Sequence, residues 1–150
     1  MSELKPGTPA PDFELPDQDG RMIRLSEFRG QRPVVIFFYP KDDTSGCTVQ
    51  VCGFRDDFAK FQAVNAEIFG ISDDSAASHK KFATKFNLPF TLLSDKGGRV
   101  RKLYGVKKTL GIIPGRVTFI VDRDGILLHI FSSLTAPSRH IEEALSALSK

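Results

Sequence analysis

The chain has 150 residues, 41% hydrophobic and 26% charged, a soluble globular balance with enough length to bury a core without disulfide staples. Its 21 basic residues exceed the 18 acidic ones by only three and are scattered, which speaks against a nucleic-acid face or an anionic-membrane face. No apolar run is long enough to span a bilayer, no charged-then-apolar leader opens the sequence, and two cysteines are too few for a secreted disulfide scaffold, so a reducing compartment is expected.

The opening "MSELKPGTPAP", with three prolines, reads as an extended arm. "DFEL" and "RMIRL" then flank "PDQDG", a hairpin with an Asp-Gly turn. "PVVIFFY" (33–39) is a short apolar run rich in β-branched and aromatic residues, the mark of a strand buried on both faces. Phe54, Phe58 and Phe61 recur at helical spacing and predict a helix from about Cys47 to Phe61. "AEIFGIS" (66–72) reads as a second buried strand, and "DDSAASHKKFATKFN" as a helix with acidic and Ser residues at its start. "FTLLSD" predicts a strand, "GGRVRKLYG" a short helix closed by Gly105, "GRVTFIVDRDGILLHIFSS" a hairpin around Asp124-Gly125, and "SRHIEEALSALSK" a terminal amphipathic helix. With no repeat, linker or low-complexity segment, the order gives one domain over 1–150. The fold class is α/β, a single mixed central sheet flanked by helices, thioredoxin-like, with an N-terminal β-hairpin extension.

Both cysteines fall in "YPKDDTSGCTVQVCGFRD" (39–56). Cys47 is placed near a helix start, where unpaired N–H groups and a partial positive charge favour an anion over a neutral thiol. The thiolate is the nucleophilic form. Cys52 follows five residues on. In a regular helix the two Cα atoms lie roughly 8–9 Å apart, beyond the ~7 Å reach of a disulfide. The pair is therefore either never bonded, or bonded only after the first turn unwinds. Other readings of the pair stay open at this point. Cys52 on a Phe-lined helix also suits a small core residue. A C-x4-C pair has zinc-ligand spacing, but His79, His129 and His140 are far apart and no second cysteine pair exists. CxxC exchange chemistry would need two intervening residues instead of four.

The same segment closely resembles the active-site stretch of peroxiredoxins, in particular the peroxiredoxin Q or bacterioferritin-comigratory-protein group. The family pattern of Pro, three residues, Thr or Ser, two residues, then the peroxidatic cysteine is matched by Pro40, Thr44 and Cys47. "GISDDSAASHKKF", "LPFTLLSD", "VRKLYGV" and "IPGRVTFIVDRDG" extend the likeness over nearly the whole chain. Ser45 stands where relatives commonly carry Pro, a change that loosens the loop before Cys47.

The resemblance implies reduction of hydrogen peroxide and organic hydroperoxides, with Cys47 as peroxidatic cysteine, Cys52 as resolving cysteine and Arg116 as active-site arginine. It further implies an intramolecular Cys47–Cys52 disulfide, regeneration by thioredoxin or a similar dithiol, a monomer, and no metal or organic cofactor. The relatives are bacterial cytosolic proteins and chloroplast proteins that lose a transit peptide, so a cytoplasmic location is expected, with the chloroplast as the alternative. Topology supports Arg116: a strand starting there and running antiparallel to 33–39 puts it at the carboxyl end of that strand, where α/β sheets keep their sites. A thiol–disulfide exchanger and a redox-sensing binding protein are the rival functions.

The remaining marks read as structural. His79 and His140 fall on polar helix faces and are expected at the surface. The pairs Asp42/Asp43, Asp56/Asp57 and Asp73/Asp74 read as turn or helix-start acids, the first able to tune the loop. "RVRK" and the lysines at 107–108 read as solvated faces, and the 13 phenylalanines as core.

Overall fold

In the computed structural model, residues 4–106, 116–133 and 136–149 are described. The hairpin pairs β1 (Glu14–Pro16) antiparallel with β2 (Met22–Arg24) around the turn at Gly20, followed by a short 3-10 turn. The main sheet contains β3 (Val34–Phe38), β4 (Glu67–Ser72), β5 (Thr91–Ser94), β6 (Val117–Val121) and β7 (Leu127–Ser132), in the order β5-β4-β3-β6-β7. The pairs β3/β4 and β4/β5 are parallel, whereas β3/β6 and β6/β7 are antiparallel. This is the mixed, helix-flanked thioredoxin-like sheet with the hairpin extension that the sequence predicts.

Alternation along β3 sorts the core in two. Val34, Ile36 and Phe38 face a cluster with Phe13, Leu15, Leu25, Val100 and Tyr104, contributed by the hairpin side. Val35, Phe37 and the following Tyr39 face Cys47, Val51, Phe54, Phe61, Phe82 and Ile141. All five β3 residues are buried, as expected of a central strand covered on both faces. On the second face lie α1 (Ser45–Asp56), α2 (Phe58–Ala63), α3 (Ala76–Phe86) and α5 (Arg139–Leu148); α4 (Arg99–Leu103) packs on the first. Gly70 in β4 makes room for this packing. A Cβ there would lie 2.6 Å from the Phe37 ring and 2.8 Å from Leu92 Cδ2, and that ring stacks on Phe54 at 4.6 Å.

Two sequence expectations are corrected. The helix predicted over Cys47–Phe61 starts at Ser45 and is two elements, because Asp57 leaves helical geometry and separates α1 from α2; Asp competes with the helix for local hydrogen bonds. His79 and His140 are fully buried instead of exposed. Each shares a helix face with apolar residues, His79 with Phe82 and Ala83, His140 with Ile141 and Ala144, so the periodicity that buries those buries the histidines too. Asp42 lies in a turn as expected and is buried there. The lysines at 107–108 lie outside the described residues. Among the described residues no helix is long and apolar enough to cross a membrane.

Candidate active site

The chain leaves β3 at Tyr39, whose N–H still donates to Ile71 O of β4 (3.1 Å). It then crosses Pro40–Asp43 and enters α1, with Thr44 at the N-cap. Cys47 is the third residue of that helix and is fully buried. Residues 47, 50, 51 and 54 share one face, so Cys47 sits on the inward stripe with Gln50, Val51 and Phe54.

Arg116 arrives from the neighbouring strand. The register Phe38↔Val117 puts the residue before β6 beside the carboxyl end of β3, as the topological reading required. Arg116 is 4% exposed, and its Nη2 lies 3.5 Å from Cys47 Sγ while Nη1 donates to Gln50 Oε1. Among the described residues no carboxylate pairs with Arg116. A buried cation without an anion is costly, and a thiolate at Sγ is the anion within reach. Two buried polar atoms at this site, Arg116 Nε and Gln50 Nε2, have no hydrogen-bond partner among the described residues. Gly46 lets the guanidinium in, since a Cβ there would stand 3.0 Å from Nη2.

The other expected site residues lie along the same segment. Thr44 is exposed, and its hydroxyl donates to Lys41 O (2.9 Å), so its side chain makes no capping bond to α1. Pro40 is half-buried in the loop. Cys52 is half-buried, and both cysteines are free on one uninterrupted helix. The structure thus brings Cys47 and Arg116 together and keeps Cys52 in helical register with its partner.

Gln50 was not singled out from the sequence, although a polar residue three positions from Cys47 on an apolar stripe was a readable signal. Two buried networks were also missed. In the first, Asp42 Oδ1 accepts from Tyr39 Oη (2.6 Å), and Oδ2 accepts from Ser78 Oγ (2.8 Å) and faces His79 Nδ1 (2.7 Å). Burial, then the Asp42 charge, pushes the Tyr39 hydroxyl pKa well above its usual value. In the second, Thr118 Oγ1 donates to His140 Nδ1 (2.7 Å), and His140 Nε2 donates to Ser133 O (2.8 Å). Burial, helped by the Arg116 charge and opposed by the Ser133 carbonyl, lowers the His140 pKa from 6.5 to about 4.

A thioredoxin-like sheet that seats a buried cysteine in the first turn of a helix, under an arginine with no carboxylate partner among the described residues, defines a thiol-based oxidoreductase. The profile of the AhpC/TSA family matches residues 6–130. Peroxiredoxin Q, chloroplastic, from Oryza sativa subsp. japonica is 51% identical over 147 residues, covering 97% of this chain and 67% of that one. The protein of the same name from Sedum lineare is 48% identical over 149 residues, covering 99% and 80%. Among solved structures, peroxidoxin BcpB from Mycobacterium tuberculosis superposes with a TM-score of 0.90 at 41% identity, covering 98% of this chain and 97% of that one. Peroxiredoxin Q from Xanthomonas campestris gives 0.82 at 28% identity, covering 91% and 89%. The chain belongs to the AhpC/TSA family, in its peroxiredoxin Q and bacterioferritin-comigratory-protein group, and is a thiol-dependent peroxidase.

Proposed function

We propose that Cys47 is the peroxidatic cysteine and Cys52 the resolving cysteine of a single-domain peroxidase acting on hydrogen peroxide and organic hydroperoxides. The observation that carries this reading is the 3.5 Å approach of Arg116 Nη2 to the buried Cys47 Sγ at the start of α1. The Cys47 thiolate attacks one peroxide oxygen in line with the O–O bond. That bond breaks, the S–O bond forms, and the departing alkoxide or hydroxide takes a proton to leave as alcohol or water. Cys47 is then a sulfenic acid, the reversible product.

Negative charge grows on the leaving oxygen, and fixed donors aimed there lower the barrier, each worth ~10²–10³ in rate. Arg116 and the first-turn N–H groups of α1 supply such donors. Thr44 joins them by turning its hydroxyl from Lys41 O, and Pro40 shapes the approach to the thiolate. Arg116 Nε and Gln50 Nε2, without partners among the described residues, mark a buried polar region beside Sγ.

Resolution follows when the first turn of α1 unwinds. The Cys52 thiolate attacks the Cys47 sulfenic sulfur, an S–S bond forms, and water leaves. A dithiol reductant of the thioredoxin type reopens the bond by exchange and is itself oxidised to its disulfide. The working unit is a monomer without a nucleic-acid or membrane partner. Its place is the bacterial-type cytoplasm or, by likeness to the chloroplastic relatives, a plastid.

The test is rapid mixing of the reduced protein with one equivalent of hydrogen peroxide, acid quenching and mass spectrometry. Wild type is expected to end as a Cys47–Cys52 disulfide, and Cys52→Ser to stop at sulfenic acid on Cys47. Oxidation of Cys47 no faster than a free thiol, with no bond formed, overturns the reading.

A further inference from the structure

The opening of α1 needs a point on its upstream side where the motion stops. We propose that Asp42 is that fixed anchor, with His79 as the positioning residue that holds it, so that the segment unwinds from Asp43 onward while Tyr39–Asp42 stays in place. This rests on the reading that α1 opens for a Cys47–Cys52 bond.

Asp42 is tied down from three elements. Tyr39 Oη, from the end of β3, donates to its Oδ1 at 2.6 Å. From α3, Ser78 Oγ donates to Oδ2 at 2.8 Å, and His79 Nδ1 stands 2.7 Å from the same oxygen. From the loop before α3, Asp74 Oδ2 accepts the Asp42 N–H at 2.8 Å and is itself held by Ser72 Oγ at 2.6 Å. His79 Nε2 lies 2.9 Å from Leu93 O of β5, so the ring is braced against the sheet at its far end. The two ring nitrogens thus reach Asp42 and Leu93 O from opposite ends of the ring. Asp42 is 7% exposed and His79 fully buried; a carboxylate is held this deep only when paired and hydrogen-bonded.

One residue further on the character of the chain changes. Asp43 is exposed and sits at φ +60°, a left-handed conformation uncommon for a residue with a side chain. Its carboxylate meets Lys85 Nζ at 3.0 Å across a solvated surface, a contact of little energetic weight. Thr44 then holds only the Lys41 carbonyl through its side chain. A tightly bonded buried residue is thus followed directly by a strained exposed one, and the boundary falls five residues before Cys47. Reach on one side is fixed by this clamp, so the loosened turn carries Cys47 toward Cys52 instead of dragging the end of β3 with it.

Amide hydrogen exchange tests the assignment, read at Tyr39 and Asp42, whose N–H groups bond Ile71 O and Asp74 Oδ2, and at residues 48–50, the first bonded amides of α1. In the peroxide-oxidised protein, residues 48–50 should lose protection while Tyr39 and Asp42 keep the values of the reduced protein. Loss at Tyr39 and Asp42 as well overturns the anchor. In the reduced protein, His79→Gln and the milder Tyr39→Phe should each lower protection at residues 48–50 by about tenfold, the scale of one lost bond to a charged group. The same variants should slow Cys47 oxidation while α5 keeps its protection. A purely structural role would lower protection evenly or only lower the melting temperature, and unchanged exchange at 48–50 in Tyr39→Phe overturns the proposal. Should peroxide give no Cys47–Cys52 bond in wild type, the resolving role of Cys52 fails on that result. The reduced-state comparison still decides whether the clamp holds the helix start.

Discussion

Gln50→Leu separates stability from catalysis at this site. The Gln50 side chain is buried with its oxygen on Arg116 Nη1 and its amide nitrogen without a partner. Replacing it with leucine removes one hydrogen bond to a charged group, worth about 1.5–3 kcal/mol. It also removes an unsatisfied buried amide that costs about 1–3 kcal/mol, and adds apolar burial beside Val51 and Phe54. Arg116 Nη1 then stays buried without that acceptor, so the gains offset only part of the loss, and chemical denaturation should find the variant about 1–2 kcal/mol less stable than wild type. The rate has no such offset. Arg116 loses the bond that aims Nη2 at Sγ, and with about 1.4 kcal/mol per decade the oxidation of Cys47 should slow by roughly ten- to a hundredfold. Competition against a peroxidase of known rate, with hydrogen peroxide limiting, measures that constant. A stable variant that reacts at the wild-type rate would falsify the positioning role of Gln50.

Gly46→Ala should slow Cys47 oxidation by several-fold, since a Cβ 3.0 Å from Arg116 Nη2 moves the guanidinium, while helix propensity gains up to about 1 kcal/mol; a faster variant would contradict the geometry. Gly70→Ala forces a methyl to 2.6 Å from Phe37 and 2.8 Å from Leu92, an overpacking that should cost about 1–3 kcal/mol, seen as a drop of several degrees in calorimetry. For His140 the folded chain takes its proton near pH 4 and the unfolded chain near 6.5. Between these values the unfolded state binds more protons, so stability is full above pH 6.5 and is lost as pH falls toward 4, by about 3 kcal/mol at most. Urea titrations across that range should show this slope in wild type and a flatter one in His140→Gln; parallel curves would refute the assignment.

The sheet was readable because its strands announce themselves. "VVIFF" and "EIFGIS" are apolar runs too short for buried helices, and the resulting order β5-β4-β3-β6-β7 sends Arg116 to Cys47 once β6 is taken as antiparallel to β3. Residue type gave the two cysteines, and the family pattern gave Thr44 and Pro40. What escaped was the role of polar residues on apolar stripes. Gln50, His79 and His140 each occupy an inward helix position, but the sequence assigns their partners to strands and loops from 7 to 66 residues away only through the fold. The break at Asp57 escaped for the opposite reason, since the Phe spacing continues across it and hides a local change of backbone.

The start of α1 has a further consequence. Its N-cap threonine gives its hydroxyl to Lys41, no acidic residue occupies its first turn, and a glycine stands second in the helix. Each omission forgoes stabilisation that helix starts ordinarily collect, about 1 kcal/mol for the cap alone. Fraying of that turn is therefore several-fold more populated than a well-capped helix would allow, while the phenylalanines further along hold the rest. Substitutions that a stability engineer would choose first, an aspartate at the cap or an acid in the opening turn, would firm the resting enzyme and lengthen the life of its sulfenic acid. Longer-lived sulfenic acid meets a second peroxide more often and passes to the irreversible acids. Under the proposed resolution by Cys52, looseness at this one turn shields the enzyme from its own substrate.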